Sequence, residues 1–363
     1  MERQALATSS NLWLALLSLL IALLAIYSIY KWLRPPPAKY SQKVVPLPGL
    51  EAISLEKVSS LLKKHKVAKL YFLHGTFAGF DPLGAGDVPL FKDVSGNLAR
   101  FIKWQIRGRG YVEKKVLDDL NACLPTQMID WSGENHHLGR LKGAYKLLST
   151  ISPTKSGPIL VIGHSHAAQV MAMVQHMRLQ SETGLKLLSF APRLGYNSDE
   201  LLEKARLLMS QSFHWMTLGS TLRLDFPLPS QDFLCHFLNI RLNLNSQVSI
   251  NENGILKQGR GDLVQSIATH GSDFMAALPK HVSLNRELNE VLGKGIDPKT
   301  WLRSLKDGIK IGDQGVTFVL DYGDSRTPIF GPIKSLFGHG VYFSERALYF
   351  QISEYLTYLE KNS

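Results

Sequence analysis

Along this chain, short continuous apolar runs alternate with longer segments in which apolar positions recur every three or four residues. The runs "VAKLYFLHG", "TQMIDWSG", "GPILVIGHS", "FHWMTLGS", "CHFLNIRL" and "GVTFVLDYG" are each apolar over several positions and mostly close on glycine or another turn residue. A strand covered on both faces has no polar side to display, so it reads as a continuous run rather than as strict alternation. Between them, "LGRLKGAYKLLSTI", "HAAQVMAMVQHMRLQ" and "SLNRELNEVLG" carry helical spacing. Strand and helix in alternation predict an α/β fold, with a mostly parallel sheet and helices on both faces.

The hydropathy pattern changes near the N-terminus. Residues 12–30, "LWLALLSLLIALLAIYSIY", hold no charge and would make a helix about 28 Å long, close to the thickness of a bilayer's hydrocarbon layer. The run is too long for a signal-peptide core, and no small-residue cleavage site follows before Lys31, so one N-terminal transmembrane helix is expected. Trp13, Tyr27, Tyr30 and Trp32 stand near its ends, where amphipathic rings favour the headgroups. Lys31, Arg34, Lys39 and Lys43 follow it, whereas Arg3 before it is offset by Glu2, which orients the main domain toward the cytoplasm. Three parts are therefore expected: residues 1–33 with the anchor, a stiff proline-rich linker over 34–50, and a domain over 51–363.

Composition narrows the classes. The chain has 363 residues, 45% hydrophobic and 20% charged, enough to bury one sizeable core. Its two cysteines, Cys123 and Cys235, are too few for a disulfide framework or a zinc cluster. The net charge of +11 gathers in stretches such as "LLKKHKVAK" and "RFIKWQIRGRGYVEKK", which suit an anionic lipid surface or a solvated basic face. No recognition motif accompanies the charge, so no nucleic acid partner is expected.

In α/β proteins the working residues collect at the carboxyl ends of parallel strands. The stretch "PILVIGHSHAAQV", residues 158–170, runs a buried strand through Gly163-His164-Ser165-His166-Ala167 into a helix. This is the context of a nucleophile elbow, where a strained turn lifts a serine hydroxyl out of the sheet and the flanking residues must be small. The triplet Gly323-Asp324-Ser325 is a decoy, because Arg326, Thr327 and Pro328 cannot open a helix cleanly. Met171, Met173 and Met177 on the following helix read as core.

With "HGTFAG", "WSGENHHLGR", "GHSHAAQ", "TLGSTLR", "GDLVQ" and "GHGVY" at its strand ends, the chain resembles the α/β-hydrolase superfamily over residues 67–359, and within it a group of bacterial membrane-anchored serine hydrolases of lipase or esterase type. Ala167 stands where that family usually carries glycine. The resemblance implies a serine hydrolase that cleaves a carboxylic ester or thioester, lipid-like given the anchor, with no cofactor and no metal, in a bacterial inner membrane with its domain facing the cytoplasm. An alternative is a non-catalytic, membrane-tethered scaffold or binding protein that retains the fold. Ser165 is then the nucleophile, and amides of His166 and of Thr76 or Phe77 form the oxyanion hole.

Histidine suits the general base, and His339, on a loop before the last helix, occupies the position expected from the order serine, acid, histidine. His270 is its rival; His74 and His164 are tied to turns, and His136 and His137 cap a helix or line the pocket. By the same order Asp262 is the preferred acid, with Asp324, Asp321 and Asp225 as alternatives. Residues 81–89 and the basic segment 100–115 are candidates for a lid.

Overall fold

The computed structural model describes residues 44–76, 112–220, 224–240, 249–250, 255–257, 262, 264–265, 279–293, 309–310, 314–323 and 339–362. The span expected at 12–30, the loop 81–89 and residues 100–111 of the basic segment lie outside them. No helix among the described residues is long and apolar enough to cross a membrane.

In chain order the elements are β1 (Val44–Pro46), α1 (Leu55–Lys64), β2 (Lys69–Leu73), α2 (Lys114–Cys123), β3 (Thr126–Ile129), α3 (His137–Thr150), β4 (Ile159–His164), α4 (Ala167–Arg178), α5 (Glu182–Ser189), α6 (Ser198–Leu208), β5 (Phe213–Leu218) and β6 (Phe233–Asn239). There follow β7 (Ser249–Ile250), β8 (Ile255–Lys257), α7 (Pro279–Leu292), β9 (Ile309–Lys310), β10 (Val316–Leu320) and α8 (Glu345–Asn362). Each of the six apolar runs became a strand. A seventh, β1, forms from Val44–Pro46 within the stretch read as linker and pairs with β10 at the sheet edge. Its proline sits where an edge strand can tolerate a missing donor.

Seven strands make one parallel sheet in the order β1-β10-β6-β5-β4-β2-β3, and β7, β8 and β9 form a small antiparallel sheet. Alternate side chains of the large sheet feed two cores. Ile159 and Val161 of β4 pack with α3, α4, α5 and α6, whereas Leu160 and Ile162 pack with α1, α2 and α8. All four are fully buried, each stabilising the fold by about 1.5–3 kcal/mol through loss of apolar surface from water. Burial on both sides explains why no polar period shows in these strands.

The helices start where the sequence supplies acceptors for their first amides. Ser54 Oγ accepts from Lys57 N–H at the start of α1, Ser181 Oγ from Gly184 N–H at α5, and Asn197 Oδ1 from Asp199 N–H at α6. Each such cap is worth about 1 kcal/mol. Helix α4 differs from them, since every residue from Ala167 to Arg178 is buried. That accounts for its unbroken apolar and small-residue composition, and Met171, Met173 and Met177 lie in the core as read.

The strand order reverses direction between β2 and β4. From β2 the chain steps outward to β3, then returns to the other side of β2 to lay down β4, β5 and β6. The loops leaving the carboxyl ends of β2 and β4 therefore flank a switch point, the place where ligands bind in open α/β sheets. Those two loops are His74–Thr76 and the turn at Ser165.

Candidate active site

At the end of β4 the backbone of Ser165 adopts φ of 57°, a left-handed conformation that costs a non-glycine residue on the order of 1–2 kcal/mol. The turn is held on both sides: Ser165 N–H donates to Leu218 O at 2.9 Å, and Ala168 N–H donates to Ser165 O at 3.2 Å as α4 begins. Close packing explains the small flanking residues. A Cβ placed on Gly163 would stand 3.1 Å from Ala167 Cβ and collide with Met171 Sδ. Alanine at 167 thus fits directly against Gly163.

The loop after β2 lies directly against this turn. His74 is locked into it, with Nδ1–H donating to Gly75 O at 2.8 Å and the Trp131 indole N–H donating to His74 O at 2.8 Å. The His74 and Trp131 rings stack 5.5 Å apart and nearly parallel. One residue on, Thr76 Oγ1 and His166 Nδ1 share a hydrogen bond of 3.0 Å, joining the two loops across the switch point. Phe77 lies outside the described residues.

From the opposite side come His339 and Asp262. His339 Nδ1–H donates to Asp262 Oδ2 at 2.7 Å, and both residues are buried. The His339 ring sits 4.4 Å from that of His164, the residue immediately before the serine, and His164 Nε2–H donates to His339 O at 2.9 Å. Burial pushes the His164 imidazole well below its ordinary pKa, reinforced by the neighbouring His339, so His164 stays neutral and serves as a donor. An imidazole whose Nδ1–H is fixed by a carboxylate is oriented to exchange a proton through Nε2.

Asp262 reaches this place by a detour. The chain leaves β6 at Asn239, builds the β7–β8 hairpin, and returns so that Asp262 N–H donates to Asn239 O at 3.0 Å. The acid is thereby joined to the end of β6, although it is distant from it along the chain. Its Oδ1 accepts Gln265 N–H at 2.8 Å, and its Oδ2 accepts the Tyr342 hydroxyl at 3.0 Å besides His339.

Against family models, curated proteins and solved structures alike, the chain gives no match. The chemistry of the site rests on its own atoms.

The competing residues make other contacts or lie outside the described set. Asp321 Oδ1 accepts Gly323 N–H at 2.8 Å, a turn-bound carboxylate of the kind common beside glycine. The main-chain oxygen of Asp225 accepts from His176 Nε2–H at 2.9 Å. Asp324 and His270 lie outside the described residues. His136 caps α3, its Nδ1 accepting Gly139 N–H at 3.0 Å, while His137 Nε2 lies 3.3 Å from Gly293 O. Among the described residues no group of three or more His, Cys, Asp or Glu is placed to hold a metal ion.

Sequence reasoning assigned no role to Asn239, Gln265 or Tyr342. Tyr342 stands three residues beyond His339 within "GHGVY", and that spacing was the one signal available. Asn239 and Gln265 act on Asp262 largely through backbone groups, which the identity of a residue does not advertise.

Proposed function

We propose that this chain is a serine hydrolase of the α/β-hydrolase type that cleaves a carboxylic ester or thioester. The observation that carries the reading is the 2.7 Å hydrogen bond from His339 to Asp262, made by an imidazole packed against the residue that precedes Ser165. In this reading Ser165 Oγ attacks the substrate carbonyl while His339 Nε2 takes its proton, and Asp262 stabilises the imidazolium. The tetrahedral oxyanion is bound by the amide of His166, at the N-terminal end of α4 whose dipole favours negative charge, and by that of Thr76 or Phe77. His339 then returns the proton to the departing alcohol or thiol. Water, deprotonated by the same imidazole, releases the acid and restores the serine.

Residues 12–30 anchor this domain in a membrane, with the linker and domain on the cytoplasmic side. A lipid-like acyl chain suits an enzyme held at such a surface. The full-length, membrane-embedded protein tests the chemistry with a fluorophosphonate probe, which phosphonylates an activated serine. Labelling that maps to Ser165 and is lost in Ser165→Ala supports the hydrolase. Absence of labelling in folded wild type overturns it in favour of a tethered scaffold. Retained labelling in His339→Ala, with loss in His270→Ala, would move the base to His270.

A further inference from the structure

We propose that Tyr342 is a positioning residue of this site, whose hydroxyl donates to Asp262 and thereby sets how strongly that carboxylate draws on His339. The inference rests on the serine hydrolase reading for its catalytic meaning and on the following geometry for its substance.

The direction of the hydrogen bond is fixed by its neighbours. Asn239 N–H lies 2.9 Å from the Tyr342 oxygen and can only donate to it. A carboxylate can only accept, so the one phenolic proton is aimed at Asp262 Oδ2, 3.0 Å away. Asp262 Oδ2 therefore receives two donors, Tyr342 and His339, and shares its negative charge between them. A second donor on the same oxygen weakens its hold on the imidazolium. Asn239 serves both partners at once, since its C=O also accepts Asp262 N–H.

The surrounding packing keeps the phenol in place. Tyr342 is fully buried, and its ring lies 5.6 Å from His164, 5.1 Å from Tyr322 and 6.4 Å from His339. Among the described residues, these three and Asp262 are the titratable groups facing it. Gly219, at the end of β5 with φ of +56°, leaves the room: a Cβ there would stand 2.8 Å from Asp262 Oδ2 and collide with the Tyr342 ring. Removal of a hydroxyl that merely filled space would leave the proton balance of His339 untouched. Removal of a donor would not.

The test uses the full-length protein and follows two signals at position 342 in wild type, Tyr342→Phe and a protein carrying 3-fluorotyrosine there. One is the pH dependence of the fluorophosphonate labelling rate, and the other is the low-field proton resonance of His339 Nδ1–H. Loss of the donor should slow labelling about tenfold at neutral pH, move its acid limb to higher pH and shift the resonance further downfield. The fluorinated phenol is a stronger donor that differs by one ring fluorine, and it should move both signals the opposite way. If Tyr342→Phe fails to fold, the fluorinated protein carries the test. Labelling by wild type with neither signal responding at position 342 overturns the inference alone. A wild type that does not label, yet whose resonance responds at position 342, overturns the hydrolase reading and upholds the coupling of Tyr342 to His339.

Discussion

Gly75 approaches Ser165 so closely that a Cβ on the glycine would stand 2.9 Å from the serine Cβ, 3.1 Å from His164 Nδ1 and 3.3 Å from His164 O. The two loops at the switch point thus interlock through an absent side chain. Gly75→Ala must push the β2 loop and the serine turn apart by a few tenths of an ångström. Displacements on the order of 1 Å cost about 100-fold in rate, so this smaller shift should slow fluorophosphonate labelling by roughly 3- to 10-fold relative to wild type. Thermal unfolding in parallel separates the two effects: a melting point close to wild type with slowed labelling is expected.

The left-handed backbone of Ser165 yields a second prediction, because strain at a non-glycine residue is stability the fold has forgone. Ser165→Ala keeps the strained φ of 57° and removes only the hydroxyl, whereas Ser165→Gly relieves the strain at some cost in unfolded-state entropy. Both should be unreactive. Chemical denaturation should find the glycine variant the more stable of the two by about 1 kcal/mol.

Much of this site is legible in the sequence, and the part that is not has an identifiable cause. The strained turn at Ser165 is readable because strand, small residues and helix are contiguous, so one window of chain holds it. His339 and Asp262 follow from order along the chain, and they do meet at 2.7 Å. Asp262 is harder to read than His339, because the β7–β8 hairpin separates it from Asn239, to which its backbone is bonded. Tyr342 is harder still, since a buried tyrosine is ordinarily core and its role depends on which backbone amide meets its oxygen. The edge strand β1 was hidden by the prolines around it, which favour a linker reading until a partner strand, β10, is known.

Buried histidines make a third prediction. His236 lies in β6 between Thr217 Oγ1 at 2.7 Å and Gln314 O at 3.2 Å, and burial lowers its pKa from 6.5 to about 4. His214, also in the sheet, is lowered by burial and by nearby His65 to about 4. Between about pH 6.5 and pH 4 the unfolded chain takes up protons at these sites while the folded chain does not. Stability is therefore full above that window and falls as the pH drops through it, by about 3 kcal/mol per histidine. Unfolding free energy measured against pH should show this slope. His236→Gln should flatten it by close to one proton even though the substitution itself is destabilising.

The fourth concerns a buried ion pair beneath α4. Arg178 bonds Asp232, whose Oδ2 also accepts Gln175 Nε2–H at 2.7 Å and whose Oδ1 accepts Phe213 N–H at 2.9 Å, and the guanidinium further donates to Leu208 O at 3.2 Å and Gln211 O at 2.6 Å. Both side chains are shut off from solvent. Burial raises the Asp232 carboxyl and lowers the Arg178 guanidinium from their ordinary values, against the attraction of each for the other, so the pair is held by geometry rather than by cheap charge. Asp232→Asn would strand a buried cation and should cost about 3–5 kcal/mol in denaturant unfolding. Arg178→Met with Asp232→Leu removes both charges and should cost less than the single change, the sign that unpaired charge and not lost attraction sets the penalty. An equal loss in the single and double variants would show instead that the backbone contacts to Leu208, Gln211 and Phe213 carry the stability of this corner.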